Sequence, residues 1–205
     1  MSAAPNRDRR AERREATRRE IVDAAWEIAR RDGISAVTLR EVAAIVGMRS
    51  PSLYSHFESK NAIYDAMFGD AWALYLDRVT EHLRTLPDAP REALLSMLRH
   101  FFDFATADLA RYQLMNQRSI PGFEPSPASY APSVEVMAQL HRTMRSLGIT
   151  DEADIDLYTA LGGGLVDMQL ANDPGGDRWR RHLPRVVDMF ADDVNLPGPR
   201  LRSSR

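Results

Sequence analysis

The chain has 205 residues, 44% hydrophobic and 27% charged, a balance that excludes a wholly disordered chain and allows a sizeable buried core. It has no cysteine, which excludes disulfides, thiolate metal sites and a thiol nucleophile and suits a cytoplasmic protein, and no apolar run approaches the roughly 20 residues that span a bilayer. The formal net charge of −2 hides an asymmetry, because residues 1–60 carry 12 basic against 9 acidic side chains while the rest carry 15 against 20.

Residues 1–19 hold seven arginines and three acids, the composition either of a basic arm for phosphates or a minor groove, or of a solvated, frayed terminus. They lack the apolar stretch of a signal peptide. "TRREIVDAAWEIARRDG" places Ile21, Ala24, Ala25, Ile28 and Ala29 on one helical face, with Gly33 as a left-handed cap. Thr38 with Glu41 makes a capping box for a short second helix that Gly47 stops. Ser50 as N-cap and Pro51 at the first helical position open a third helix over about 51–57, and Ser59 caps a fourth. Two short helices around a glycine turn, braced by a longer one, form a helix-turn-helix.

If Leu53 and Phe57 anchor the third helix, then Ser50, Pro51, Ser52 and Ser55 project outward, and such short side chains let a helix sink into a DNA major groove. Tyr54, His56 and Lys60 flank that face with donors for phosphate oxygens. The competing reading is a solvent-exposed helix with a buried, satisfied His56. Direct base readout is assigned to an arginine, Arg40 in preference to Arg49, because serines discriminate bases poorly.

"TLREVAAIVGMRSPSLYSHFESKNAIYDAMF" resembles the DNA-binding domain of the tetracycline-repressor (TetR) family over about Ile21 to Phe68. The resemblance implies phosphate contacts from Thr38, Tyr54, His56 and Lys60, with Arg40, Ser50, Pro51 and Ser52 at or near the bases. Ser55 departs from the bulky residue many members carry there. The resemblance also implies a helical regulatory domain after residue 60, closing with two helices that pair in a dimer.

In that second part, helices are expected over about 60–86, from Pro90 to Arg118, over about 130–147 ending at Gly148, from a Thr150 cap to an Asn172 cap, and over about 177–194 with a kink at Pro184. "SIPGFEPSP" reads as a loop. "LGGG", Leu161 to Gly164, lies inside a helical repeat, so either the helix breaks there or a closely packed partner or ligand offsets three interior glycines. Leu161, Gly163, Leu165 and Met168 with Trp179, Val187 and Phe190 are the candidate dimer interface. Phe101, Phe104, Tyr112, Met115, Met137, His141, Met144 and Tyr158 are candidates for an apolar effector pocket, each of which could instead be plain core.

The expected fold is therefore all-α: a basic flexible arm (1–15), a three-helix helix-turn-helix DNA-binding domain (16–60), a helical ligand-binding and dimerisation domain (61–194) and a disordered tail (195–205). The expected function is a DNA-binding transcriptional regulator, a cytoplasmic homodimeric repressor released from a palindromic operator by a small, largely apolar effector. It needs no cofactor and no metal. The alternative is a helical small-molecule-binding protein or enzyme with an incidental basic arm; no catalytic motif is present, and His82, His100 and His182 stand apart in sequence.

Overall fold

Apolar periodicity near 3.6 residues along most of the chain builds helices and no strands among the described residues, which are 9–201 of a computed structural model. Nine α-helices follow: α1 Arg9–Asp32, α2 Leu39–Val46, α3 Ser50–Leu53, α4 Lys60–Leu83, α5 Pro90–Thr106, α6 Leu109–Asn116, α7 Pro127–Ser146, α8 Glu152–Asn172 and α9 Leu183–Asp193.

The first core joins α1, α2, α3 and α4. Ile21, Ile28, Val42, Leu53 and Ile63 are fully buried there, and the Tyr64 hydroxyl donates to Ile34 O at 2.8 Å. This core runs past residue 60, because Met67, Phe68 and Ala71 of α4 belong to it together with Ala110 and Leu114 of α6. The second core lies between α5, α8 and α9, around Leu94, Phe102, Ile155, Val166, Leu183 and Val187. α7 lies along α4: Asp65 accepts hydrogen bonds from Ser126 N at 2.6 Å, Ser126 Oγ at 2.9 Å and Ser129 Oγ at 2.8 Å, and Thr80 bonds Gln139.

Several expected boundaries move, each for a local reason. The arginine-rich start is helical from Arg9, since Ala, Arg and Glu are strong helix formers and Glu15 and Arg19 sit four apart; residues 1–8 lie outside the described residues. α3 keeps only one regular turn, 50–53, with residues 54–57 continuing as hydrogen-bonded turn. The stretch from Pro90 breaks at Ala107, where Asp108 caps a new helix by accepting from Arg111 N at 3.1 Å. Asp151, not Thr150, caps α8, and the left-handed residue after it is Gly175 rather than Asn172. Pro184 does not kink a long helix; it sits in the first turn of α9, where its missing N–H is harmless, after a 3₁₀ turn over Arg180–His182. The tail is anchored as far as Leu201, whose N–H donates to Asp188, with Leu196 buried and its carbonyl held by Arg91. Residues 202–205 lie outside the described residues.

α8 stays helical through all three glycines. A Cβ on Gly162 would meet Leu98 Cδ1 at 2.8 Å and Phe101 beyond it, so this glycine lets α5 and α8 approach; one on Gly163 or Gly164 would meet nothing within 4 Å. Gly162→Leu is accordingly expected to lower stability by about 1–3 kcal/mol through overpacking against α5, measured as a reduced midpoint of thermal unfolding by circular dichroism.

Candidate nucleic-acid interface and apolar cavity

The outward surface of α2, α3 and the turn after it is built from capping chemistry. Thr38 is the N-cap of α2 and accepts from Glu41 N at 3.2 Å; Gly47, with φ 73°, turns the chain so that Met48 N donates to Ala43 O. Arg49 in extended conformation precedes α3, and Ser59 caps α4 by accepting from Ala62 N at 3.1 Å. With Leu53 and Phe57 buried beneath, Thr38, Arg40, Arg49, Pro51, Ser52, Tyr54 and Ser55 are exposed, and Ser50, His56 and Lys60 half-buried. The Ser55 hydroxyl is occupied, donating to Ser52 O at 2.7 Å. The Lys60 ammonium lies 5.4 Å from the Tyr64 ring.

Two residues of this surface are missing from the sequence reading. Arg14 donates to Ser55 O at 3.4 Å, and Arg18 donates to His56 O while its guanidinium lies 4.0 Å over the Phe57 ring. α1 therefore holds the carbonyl end of the recognition turn with two positive charges, which also complement the negative end of that turn. Their spacing, four apart on the face that continues from Ile21 and Ala25, is the signal that was available.

The second feature is a cavity of about 130 Å³ enclosed by α4, α5, α7 and α8, with Asn116 of α6 at one side. Trp72, Tyr75, Phe101 and Tyr158 supply rings, and Met97 and Met137 adaptable thioethers. Of the expected pocket residues, Phe101, Met137 and Tyr158 line it. The other five do not, each for a local reason. Phe104 packs beside it, its ring 4.7 Å from Tyr75 and 3.8 Å from the Arg111 guanidinium. Tyr112 points to α8 and donates to Asp167 at 2.9 Å. Met115 lines a separate hollow under the 117–125 loop, Met144 is fully buried core, and His141 is half-buried away from the wall. Trp72, Tyr75, Val79 and Leu83 repeat at spacings of three and four, a stripe the sequence displays.

Of the candidate interface residues, Val187 and Phe190 are buried in the second core, where Phe190 meets Tyr158 at 5.4 Å between centroids. Trp179 is half-buried, its backbone N–H donating to Gln169 Oε1. Leu161, Gly163 and Leu165 are half-buried and Met168 is exposed, as are Leu157 of α8 and Met189 of α9.

His82 and His100 are brought together despite their distance in sequence, with rings stacked at 4.3 Å; burial, and secondarily His82, pushes the His100 pKa down. Among the described residues no group of three or more His, Cys, Asp or Glu is arranged to hold a metal, and no helix is long and apolar enough to cross a membrane.

Residues 21–67 match the family described as bacterial regulatory proteins, tetR family. The chain is 33% identical over 102 residues to the HTH-type transcriptional activator FasR of Mycolicibacterium smegmatis, covering 50% of this chain and 46% of that protein. It is 35% identical over 60 residues to the tetracycline repressor protein class D of Escherichia coli, covering 29% of this chain and 28% of the relative. The chain thus spans about half the length, or less, of these relatives. The fold is shared over most of the chain with a bacterial regulatory protein in the tetR family from Rhodococcus RHA1 (TM-score 0.62, 20% identity, covering 89% of this chain and 98% of that one). It is shared as well with the transcriptional regulator FadR of Bacillus subtilis in complex with stearoyl-CoA (TM-score 0.61, 16% identity, covering 84% and 96%). The match to the tetR family of bacterial regulatory proteins is thus carried by the helix-turn-helix segment, residues 21–67.

Proposed function

We propose that the protein is a cytoplasmic transcriptional regulator that binds a palindromic double-stranded DNA operator as a homodimer and is released from it by a small, largely apolar effector. The observation that carries this reading is the continuity of α4, whose first turns are packed under the recognition surface and whose later turns wall the apolar cavity. Repression fits an arrangement in which occupying the groove is itself the regulatory act.

At the DNA, Ser50, Pro51 and Ser52 let the α3 backbone approach the groove floor, and Arg40, with Arg49 beside it, supplies direct base readout. Thr38, Tyr54, His56 and Lys60 meet phosphates or sugars, which fix register without reading sequence. Arg14 and Arg18 position the turn that presents Tyr54 and His56. Dimerisation is supported by the exposed apolar side chains Leu157, Met168 and Met189 on α8 and α9, and by the open space over Gly163 and Gly164, where a partner helix can approach closely. Two recognition helices fit successive major grooves only at a set separation. The effector acts by favouring an α4 arrangement that spoils this separation, to the extent of its differential affinity.

Arg40→Ala is expected to cost about 1–3 kcal/mol on a duplex selected by the wild type and to relax preference at one base pair per half-site. Lys60→Ala, in contrast, should weaken all duplexes alike and reduce the salt slope of log K by about one. Selection from random-sequence DNA with both variants and fluorescence anisotropy at several salt concentrations separates these; an altered motif for Lys60→Ala, or an unaltered one for Arg40→Ala, refutes the assignment.

Coupling has its own test at Asp65, which ties the N-terminus of α7 to α4 two turns from the recognition surface. Asp65→Ala removes three hydrogen bonds without touching the cavity wall. Effector binding should survive in calorimetry, whereas the effector's influence on DNA affinity, about 5- to 150-fold in coupled systems, should fall toward none. Full coupling in the variant would place the relay elsewhere.

A further inference from the structure

The cavity between α4, α5, α7 and α8 has an unusual imbalance of polar groups. Among the described residues no charged side chain lines it, and its polar members are Tyr75, Tyr158, Asn116, Thr159 and the Trp72 indole, whose buried N–H has no partner among the described residues. Most of their hydrogen-bonding capacity is already committed. Tyr158 donates to Leu94 O at 2.7 Å, Thr159 to Ile155 O at 2.8 Å, and Asn116 Nδ2 to Tyr112 O at 3.3 Å. Asn116 and Thr159 are also exposed, so they mark the mouth rather than the interior.

Tyr75 differs. It is 6% exposed, its ring is fixed by Phe104 at 4.7 Å, Trp72 at 6.1 Å and Phe101 at 6.2 Å, and its hydroxyl has no hydrogen-bond partner among the described residues. That hydroxyl is therefore free to donate to a molecule in the cavity that the ring lines. Burial also pushes the Tyr75 pKa up, so at neutral pH the group is a proton donor and never a phenolate. The interior thus offers two donors, the Tyr75 hydroxyl and the Trp72 indole N–H, in an otherwise apolar, ring-lined space. A carboxylate or phosphate placed there would lose its hydration with no cation to compensate. In size, about 130 Å³ is close to an apolar cavity of about 150 Å³ that accepts benzene.

We propose that the cavity's ligand is an uncharged molecule with a buried portion of about one aromatic ring, carrying a carbonyl- or ether-type oxygen that accepts a hydrogen bond from Tyr75. The inference rests on the reading of this cavity as the effector site, and it adds the chemical class. Trp72, Phe101 and Tyr158 hold the ring by edge and face contacts, Met97 and Met137 adjust to its outline, and polar substituents leave through the mouth at Asn116 and Thr159.

The test uses three probes of matched size, acetophenone, ethylbenzene and benzoate, titrated calorimetrically into the full-length wild type and Tyr75→Phe, with circular dichroism to verify that both are folded. Acetophenone should lose about threefold to tenfold in affinity in the variant, the worth of one net hydrogen bond, while ethylbenzene is unchanged within about twofold as expected of a contact that is purely apolar. Benzoate should bind the wild type at least about 30-fold more weakly than acetophenone because its charge is buried unpaired. Equal acetophenone affinity in the two proteins, benzoate binding as tight as acetophenone, or no binding of any probe would each overturn the proposal. DNA affinity measured with and without acetophenone separates this from the regulatory reading. Tyr75-dependent binding that leaves DNA affinity unchanged supports the ligand class and counts against effector release.

Discussion

One unbroken helix serving two cores is the constraint on which the rest of the structure depends. α4 runs 24 residues, on the order of 36 Å at the usual rise. Its first half buries Ile63, Tyr64, Met67, Phe68 and Ala71 under the helix-turn-helix, and its second half turns Trp72, Tyr75, Val79 and Leu83 onto the cavity. A packed helix moves as a body, because each buried side chain is held at near-crystalline density and cannot yield alone. Any change in cavity filling that shifts the second half is therefore passed to the first. Gly69 marks the middle of this lever. An added Cβ there would lie 3.2–3.4 Å from Ser129, so the glycine permits the close approach of α7 that the Asp65 hydrogen bonds then fix.

A second connection runs through α6. At its start Asp108 pairs with Arg30 of α1 at 2.8 Å, and Ala110 and Leu114 sit in the first core. Tyr112 in its middle and Gln117 just past its end both donate to Asp167 of α8, at 2.9 and 3.1 Å. This short helix thus ties the helix-turn-helix to the same α8 that carries the glycine run and walls the cavity through Tyr158 and Gly162. With α4 on one side and α6 on the other, the recognition surface has few independent ways to move relative to the cavity.

The fold was largely legible in the sequence, because Thr38, Gly47, Pro51 and Ser59 are local signals whose chemistry acts within a turn or two. Where local chemistry is ambiguous, longer-range packing decides. Pro184 fits a kinked helix and a helix start equally well, and only the turn at 177–182 decides between them. Gly162 and Gly163 are indistinguishable by propensity, yet one faces Leu98 and the other faces open space. The recognition face could be assigned from Leu53 and Phe57, since the buried side of a short helix fixes its exposed side. The cavity wall could not be chosen by residue type. Met144 and Met137 are chemically identical and seven positions apart, but the first is core and the second lines the space, a difference set by long-range packing of α5 and α8 against α7. Arg18 illustrates the same limit, since its role depends on a carbonyl 38 residues away.

The most direct test of the shared-helix account fills the cavity covalently and reads the effect at the DNA. Leu140→Trp places an indole from α7 into the space facing Tyr75 and Val79, far from the recognition turn. Fluorescence anisotropy with a duplex selected by the wild type then reports DNA affinity at fixed salt, with far-ultraviolet circular dichroism confirming unchanged helix content. The account expects affinity to fall by about 5- to 150-fold, the usual range of coupling between sites; a folded Leu140→Trp protein that binds this duplex as tightly as the wild type would contradict it.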